Sequence, residues 1–195
     1  MTLPLAVAGH PALELCNTRA GWGDAAPREY LGRYRDLVVW ARELALVRPG
    51  QARRLLGAAA ADPAAADAAL ERTRAFRDDL YDALTRDRPP RDGLDRLAAV
   101  LAAAGTTAVV ERSDGGLAMG HRGGSLDVPL HAAADAARRL IEAGLTRDVG
   151  RCPGDACGWL FLRAGRPRRW CTMSICGNRA KARRFAERAR AARTG

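Results

Sequence analysis

The stretch CPGDACGWLFLRAGRPRRWCTMSIC, residues 152–176, decides the fold of the C-terminal quarter of the chain. It holds two pairs of cysteines with four residues inside each pair, namely Cys152 with Cys157 and Cys171 with Cys176. Two close thiol pairs are typical of a structural zinc site made of four thiolates. Pro153 fixes its own φ and Gly154 permits a positive one, so the chain can turn back and aim both sulfurs of the first pair inward. The spacing predicts one tetrahedral Zn2+ ion bound by the four cysteines.

Other roles for these cysteines make different demands on the chain. Disulfides need an oxidising compartment, yet the opening residues MTLPLAVAGH have no charged segment before their short apolar run and make a poor signal peptide. We therefore expect a cytoplasmic protein with reduced thiols. A single redox cysteine does not account for two spaced pairs, whereas an iron–sulfur cluster stays open, although its ligands usually lie closer together in sequence. Because four sulfurs leave no position for water, the metal is expected to be structural and not catalytic.

A small zinc module is predicted for residues 148–195. The segment WLFLRAGRPRRW, residues 159–170, suits two short strands joined by a Gly/Pro turn. Cys176 is expected in the first turn of the last helix, where free backbone amides stabilise a thiolate. The predicted order is a knuckle, a hairpin and a helix around one ion, which is a treble-clef-like arrangement. A module of this size has a marginal hydrophobic core, so the metal is expected to supply folding free energy.

Positive charge is concentrated in the same module. Residues 148–195 hold 12 of the 32 Lys+Arg and 3 of the 22 acidic residues, so nearly all of the net charge of +10 lies there. This asymmetry indicates a polyanionic partner, with a solvated basic tail as the alternative. Helical spacing puts Ala182, Phe185 and Ala189 on one stripe, which predicts that Phe185 packs against the hairpin and leaves two cationic flanks exposed. The candidate nucleic-acid contacts are Arg168, Lys181, Arg183, Arg184, Arg188 and Arg190.

The predicted hairpin carries further basic and aromatic residues. Arg163, Arg166 and Arg169 extend the patch and are expected to contact the nucleic-acid backbone. The aromatic residues that alternate with them are Trp159, Phe161 and Trp170. Stacking on bases is one use of these rings, but aromatics beside a structural zinc ion more often form its small core.

Residues 1–147 are predicted to form a helical domain, so the fold class is mainly α with a small β-hairpin. Apolar residues recur at helical spacing in five long segments and one short one. The predicted helices are 10–18, 28–47, 50–60, 63–86, 93–104 and 127–144. The sequence TTAVVERSDGGLAMGHR, residues 106–122, is the one hairpin candidate of this region, with an Asp-Gly-Gly turn.

The chain also resembles a known pair of families. The sequence CPGDACGWLFL, followed by RRWCTMSICGNRAKARR, is similar to the CGNR zinc finger, which is named for the string at 176–179. ALELCNT at 12–18 resembles the opening of the ABATE domain, which usually precedes that finger. The resemblance covers essentially the whole chain and implies that the four cysteines are zinc ligands. It further implies a bacterial, stress-linked transcription regulator whose finger binds DNA. The loop RAGRP is a few residues shorter than usual in such fingers, which bears on phosphate contacts by the loop and not on the ligands.

Three classes of function follow from these observations. The leading one is a zinc-dependent, DNA-binding transcription regulator whose N-terminal domain senses a small-molecule effector or mediates assembly, for example as a homodimer. The second is an RNA-binding or protein-interaction adaptor, and the third is an enzyme in the helical domain with an accessory finger. The histidines His10, His121 and His131 lie in different predicted elements without a known catalytic motif, so we expect surface or turn residues and no enzyme. Asn17 is expected to cap a helix, and Trp22 to cover the core or close over a small molecule.

Overall fold

The computed structural model describes residues 3–113, 115–163, 165 and 167–194. Within these ranges the chain is mainly helical with small two-stranded antiparallel sheets, which confirms the predicted fold class. The helices are α1 Pro11–Cys16, α2 Tyr34–Glu43, α3 Pro49–Ala61, α4 Pro63–Thr85, α5 Arg91–Thr107, α6 Val128–Glu142 and α7 Asn178–Thr194. The strands are β1 Arg19–Ala20, β2 Arg28–Glu29, β3 Ala108–Ser113, β4 Gly116–His121, β5 Val149–Arg151 and β6 Leu160–Leu162. A 3-10 turn spans Leu145–Asp148 and a π-helical turn spans Met173–Gly177.

Local sequence signals explain where most helices begin. Asp62 accepts a hydrogen bond from the Ala65 N–H at 2.9 Å, and Pro63 occupies the first turn of α4, where its missing N–H costs nothing. The predicted helix over residues 28–47 is wrong at its start. Residues 28–29 pair with β1 instead, and α2 begins at Tyr34 because the Asp36 carboxylate accepts the Arg33 N–H at 3.0 Å.

The short helix α1 lies at the centre of the hydrophobic core. Leu13, Leu15 and Cys16 are fully buried, with α4 and α6 packed against them. Burial of each leucine side chain contributes about 1.5–3 kcal/mol to stability. Burial also raises the pKa of the Cys16 thiol, so this cysteine behaves as an apolar core residue, as its neighbours in the sequence indicate.

The hairpin predicted at residues 106–122 is confirmed. Strands β3 and β4 pair in antiparallel register from Ala108 opposite His121 to Ser113 opposite Gly116. Asp114 of the predicted turn lies outside the described residues. None of the helices in the described ranges is both long and apolar enough to cross a membrane.

The hairpin of the C-terminal module differs from the prediction. We expected two strands within residues 159–170, but β6 pairs with β5, which precedes the first cysteine pair. The Cys152 N–H donates to the Trp159 carbonyl at 2.8 Å, so the turn between the first two cysteines is itself the hairpin loop. Residues 167–170 form no strand, because Pro167 lacks an N–H and the Trp170 carbonyl accepts from the Arg168 side chain. Ala164 and Arg166 lie outside the described residues.

Candidate metal centre and basic surface

Four buried sulfurs converge in the C-terminal module. They belong to Cys152, Cys157, Cys171 and Cys176, and all four lie within 4.8 Å of one another. The Sγ atoms of Cys157 and Cys171 are 3.7 Å apart, and those of Cys171 and Cys176 are 3.4 Å apart. Tetrahedral coordination with Zn–S bonds of about 2.3 Å requires sulfur separations of about 3.8 Å. The donor set and its spacing therefore fit a closed four-thiolate metal site.

Two tight turns aim these sulfurs at one point. In the first, the Cys157 N–H donates to the Gly154 carbonyl at 3.2 Å. A Cβ atom at Gly154 would lie 3.0 Å from the Cys176 sulfur, so a side chain there would press into the site. In the second, the Thr172 hydroxyl accepts the Ile175 N–H at 3.1 Å and starts the π-helical turn that carries Cys176. The prediction that Cys176 begins the last helix is therefore close, since α7 starts two residues later.

The thiols of the cluster influence one another's ionisation. Hydrogen bonds from the Cys157 and Cys171 thiols lower the pKa of Cys152 to about 2. The same contact with Cys152 raises the pKa of Cys157 to about 12. Ionisation of one thiol thus opposes ionisation of its neighbour. Four thiolates become compatible with one another only around a bound metal ion, which releases the remaining protons.

Aromatic rings form a small core around the sulfurs. Trp159 and Phe161 are buried with the four cysteines, and Trp170 packs at the edge of this cluster. The Trp159 indole donates to the Arg19 carbonyl at 3.0 Å, so its polar edge is bonded within the chain. Trp159 and Phe161 therefore serve packing, which is the more ordinary of the two uses expected for them.

Arg168, a predicted nucleic-acid contact, is engaged by the protein itself. Its Nε donates to the Trp170 carbonyl at 3.1 Å, and its Nη2 donates to the Val7 carbonyl at 2.7 Å and to the Cys171 carbonyl. Its guanidinium carbon lies 4.4 Å from the centre of the Phe161 ring. The side chain thus ties the N-terminal segment to the backbone of Cys171, one of the four clustered cysteines.

The basic helix α7 projects from the metal site. Lys181, Arg183, Arg184, Arg188 and Arg190 are exposed along it. Arg183 forms an ion pair with Asp155 in the turn of the first cysteine pair. The prediction that Phe185 packs against the hairpin is wrong, because Phe185 is 77% exposed. The apolar faces of the hairpin already pack on the metal site and on the helical core, so only Ala180 in the first turn of α7 is buried among the described residues of this helix.

Asn17 makes the most specific contact between the helical region and the metal module. Its Nδ2 donates to the Leu160 carbonyl at 3.0 Å, and its Oδ1 accepts the Leu160 N–H at 2.8 Å. Both residues are fully buried. Asn17 is the C-cap residue of α1, as the sequence predicts a cap, but it caps with its backbone N–H, which donates to the Leu13 carbonyl at 3.0 Å. Its side chain is left for the contact with Leu160. Its amide pairs with the free edge of β6 as a neighbouring strand would. The sequence CNT marks Asn17 as a polar residue beside buried ones. It does not predict that the partner is Leu160, 143 residues later in the chain.

Trp22 and Tyr81 complete the same junction. Their rings stack with centroids 3.6 Å apart and an angle of 5° between the planes. The Tyr81 hydroxyl donates to the Gly158 carbonyl at 2.8 Å, and the Trp22 indole donates to the Cys16 carbonyl at 3.2 Å. Of the two uses expected for Trp22, the structure therefore shows the covering of the core.

Two histidines from different predicted elements meet at Thr107. The Thr107 Oγ1 lies 3.0 Å from the Nδ1 atoms of both His121 and His131, and the His121 Nε2 lies 3.2 Å from Asp135. His121 is buried, so the prediction of a surface position is wrong for it. Burial lowers the pKa of both rings, with the nearby carboxylates opposing this effect. The cluster joins α5, β4 and α6, whereas His10 accepts the Ala12 N–H at the start of α1.

Comparison with known families agrees with this architecture. Residues 9–144 match ABATE, a family described as "Putative stress-induced transcription regulator". Residues 149–189 match the CGNR zinc finger. A search among curated proteins found no match to this chain.

Proposed function

The chain belongs to the ABATE family and carries a CGNR zinc finger, and on this basis we propose that it is a zinc-dependent, DNA-binding transcription regulator. In this proposal residues 1–147 form the regulatory domain and residues 148–195 form the DNA-binding finger. The ion is Zn2+, held by Cys152, Cys157, Cys171 and Cys176 in a purely structural role. The observation that carries the proposal is the exposed basic helix that projects from the metal site.

The charge of α7 supports a polyanionic partner. Between Lys181 and Arg188 every residue of the helix is exposed, and Glu187 is the only acid in α7. The helix has 17 residues, which at 1.5 Å each gives a length of about 25 Å, enough to lie along a nucleic-acid groove. Arg184 and Arg188 form one flank, and neither makes an ion pair within the described part of the chain, in contrast to Arg183. Their guanidinium groups remain available for phosphate oxygens.

A pocket beside the metal site supports an effector role for the first domain. It has a volume of about 360 Å³ and lies between the loop 20–30 and the finger. Arg28, Tyr30, Trp159 and Arg179 are among its lining residues. A small molecule bound there would contact both domains at once. Binding would therefore change how the finger is held, which is what an effector must do to regulate DNA binding.

A mobility-shift titration against double-stranded DNA, RNA and polyglutamate tests the proposal. We expect DNA to bind most tightly, with about six phosphate contacts and a log–log salt slope near −5. Changing Arg184 and Arg188 to Ala is expected to reduce the magnitude of this slope by about 2.

The matched control changes Arg53 and Arg54 to Ala, which removes the same charge from exposed positions on α3. This control variant is expected to bind DNA with nearly the wild-type slope. Equal weakening by both pairs, or a wild-type slope near zero, would contradict the assignment of α7. Preference for RNA or polyglutamate would instead favour the RNA-binding or protein-interaction adaptor.

A further inference from the structure

A second basic feature lies on the strand side of the finger. A cleft of about 390 Å³ is lined by Arg151, Arg163, Arg168 and Arg169, with Phe161 and two prolines completing its walls. We call it the arginine cleft. None of its lining residues is acidic. None of these four side chains forms an ion pair within the described residues, and Glu14 is the buried carboxylate that lies near enough to Arg168 for electrostatic attraction. The acidic residues nearest in sequence do not pair with these arginines. Asp155 forms an ion pair with Arg183, and Asp148 is an exposed residue directly before β5.

Arg168 gives the cleft a fixed point. Its Nε and Nη2 groups are bonded to backbone carbonyls, and its guanidinium lies over Phe161, which is 1% exposed. Its Nη1 group has no acceptor among the described residues, so two N–H donors remain for a ligand. A guanidinium that is already immobilised loses little side-chain entropy when it binds an anion.

Gly150 allows a second arginine to lie close to the strand. A Cβ atom at this position would stand 3.2 Å from the Arg163 Nε and 2.6 Å from the Phe161 ring. The absence of a side chain therefore creates the space into which Arg163 folds. Arg169 lies on the other side, with its guanidinium carbon 5.1 Å from the centre of the Trp170 ring.

Guanidinium groups that line one cleft repel one another, and an anion bound between them relieves this repulsion. Zinc bound by four thiolates gives the neighbouring metal site a net charge of about −2. This negative charge offsets part of the positive charge of the arginines. The Arg151 guanidinium is directed away, since its Nη2 donates to the Trp22 carbonyl at 3.5 Å and its guanidinium carbon lies 5.8 Å from the centre of the Tyr81 ring. Arg163 and Arg169 therefore join Arg168 as the arginines of the cleft that can bind an anion. Arginine forks bind phosphate oxygens in pairs, and a tetrahedral phosphate accepts such pairs from several directions at once.

We propose that the arginine cleft is a binding site for a phosphoryl group, separate from the surface of α7. Two sources have this chemistry, namely a backbone phosphate of bound nucleic acid and a free phosphorylated small molecule. The first source rests on the proposed function and the second does not. The geometry allows the first, because Pro153 lines the cleft and Asp155, two residues later in the same turn, pairs with Arg183 of α7.

Calorimetric titration of the zinc-loaded full chain with pyrophosphate tests the site. We expect saturable binding of one pyrophosphate per chain by the wild type and by the variant Arg184→Ala/Arg188→Ala. The variant Arg163→Ala/Arg169→Ala is expected to bind at least about tenfold more weakly, and Arg163→Lys/Arg169→Lys to fall between them because it keeps the charge without the fork. Zinc content and melting temperature verify that each variant is folded. Wild-type affinity in Arg163→Ala/Arg169→Ala, or no saturable binding by the wild type, would overturn the proposal.

Competition with DNA then identifies the source. If the cleft holds a backbone phosphate, pyrophosphate displaces DNA, and Arg163→Ala/Arg169→Ala reduces the magnitude of the salt slope by about 1 for each phosphate that the cleft no longer neutralises. If it holds a free phosphorylated molecule, pyrophosphate and DNA bind together and the slope is unchanged. Pyrophosphate binding by a wild type that binds no nucleic acid would sustain the cleft and refute the proposed function, so the two failures are distinguishable.

Discussion

Replacing Asn17 with Ala is expected to weaken the junction between the helical region and the finger. The side-chain amide of Asn17 satisfies both the N–H and the carbonyl of Leu160, with distances of 2.8 and 3.0 Å. Leu160 lies opposite Arg151 in the antiparallel pairing of β5 with β6. This is a pair without hydrogen bonds between its two residues, because the neighbouring pair of Cys152 and Trp159 is hydrogen-bonded and the two kinds of pair alternate. The Leu160 N–H and carbonyl therefore face away from β5 and depend on Asn17.

The magnitude follows from two buried backbone groups that lose their partners. An unsatisfied buried donor or acceptor costs about 1–3 kcal/mol, so Asn17→Ala is expected to lower the free energy of unfolding by about 2–6 kcal/mol. In a chain of this size each kcal/mol lowers the melting temperature by about 2–4 °C. Asn17→Asp keeps the acceptor but places a carboxylate oxygen against the Leu160 carbonyl, so a loss of similar size is expected.

Differential scanning calorimetry of the zinc-saturated chain measures the effect. The matched control is Asn178→Ala, which removes an exposed side chain whose Nδ2 donates to the Ser174 carbonyl at 3.2 Å. This control is expected to change stability by no more than about 0.5 kcal/mol. A melting temperature for Asn17→Ala within about 1 °C of the wild type would refute the reasoning, because the amide would then contribute nothing at the junction.

Three other predictions concern the metal, a glycine and a histidine. Changing Cys171 to Ser is expected to abolish stoichiometric zinc in elemental analysis, while the helical circular dichroism of residues before β5 persists. Gly158 has φ +70°, and a Cβ atom there would lie 2.9 Å from the Trp22 Cβ. Gly158→Ala is therefore expected to lower the free energy of unfolding by about 2–3 kcal/mol in thermal unfolding. The control Gly57→Ala, in open space on α3, is expected to raise it by about 0.5–1 kcal/mol. Burial lowers the pKa of His131 below its ordinary 6.5, so below pH 6.5 the unfolded chain binds more protons than the folded chain. The contribution of His131 to stability is therefore full above pH 6.5 and is lost as the pH falls. In denaturant titrations His131→Gln is expected to lose less free energy of unfolding than the wild type between about pH 7.5 and 5.5.

Features that depend on local chemistry were predictable from the sequence. The bounds of α3 and α4 follow from Pro49, Pro63 and the capping Asp62, since these residues act on the backbone next to them. The convergence of the four cysteines was also predictable, because metal ligands can reach one ion only if their spacing and turns permit it. The β3–β4 hairpin followed for the same reason, from a β-branched run and a glycine turn.

Features that depend on distant partners were not predictable. The apolar stripe through Phe185 has helical spacing, but the surface that would cover it is already packed against other elements. Leu160 pairs with Asn17, and β6 pairs with β5. Which edges pair depends on the relative stability of alternative strand pairings, and the sequence pattern does not give these stabilities. The meeting of His121 with His131 arises only when α5 and α6 pack side by side.

Strand β6 belongs to two cores at once. Leu160, the first residue of the strand, is buried in the helical core, while Phe161 is buried with the sulfurs, because neighbouring residues of a strand face opposite ways. Trp159, which directly precedes the strand, is also buried with the sulfurs. The free energy of metal coordination is therefore linked to that of helix packing through three consecutive residues. Consider a molecule that binds the helical domain and stabilises its packing. Such a molecule raises the affinity of the cysteines for the ion, and the ion raises the affinity for that molecule by the same factor.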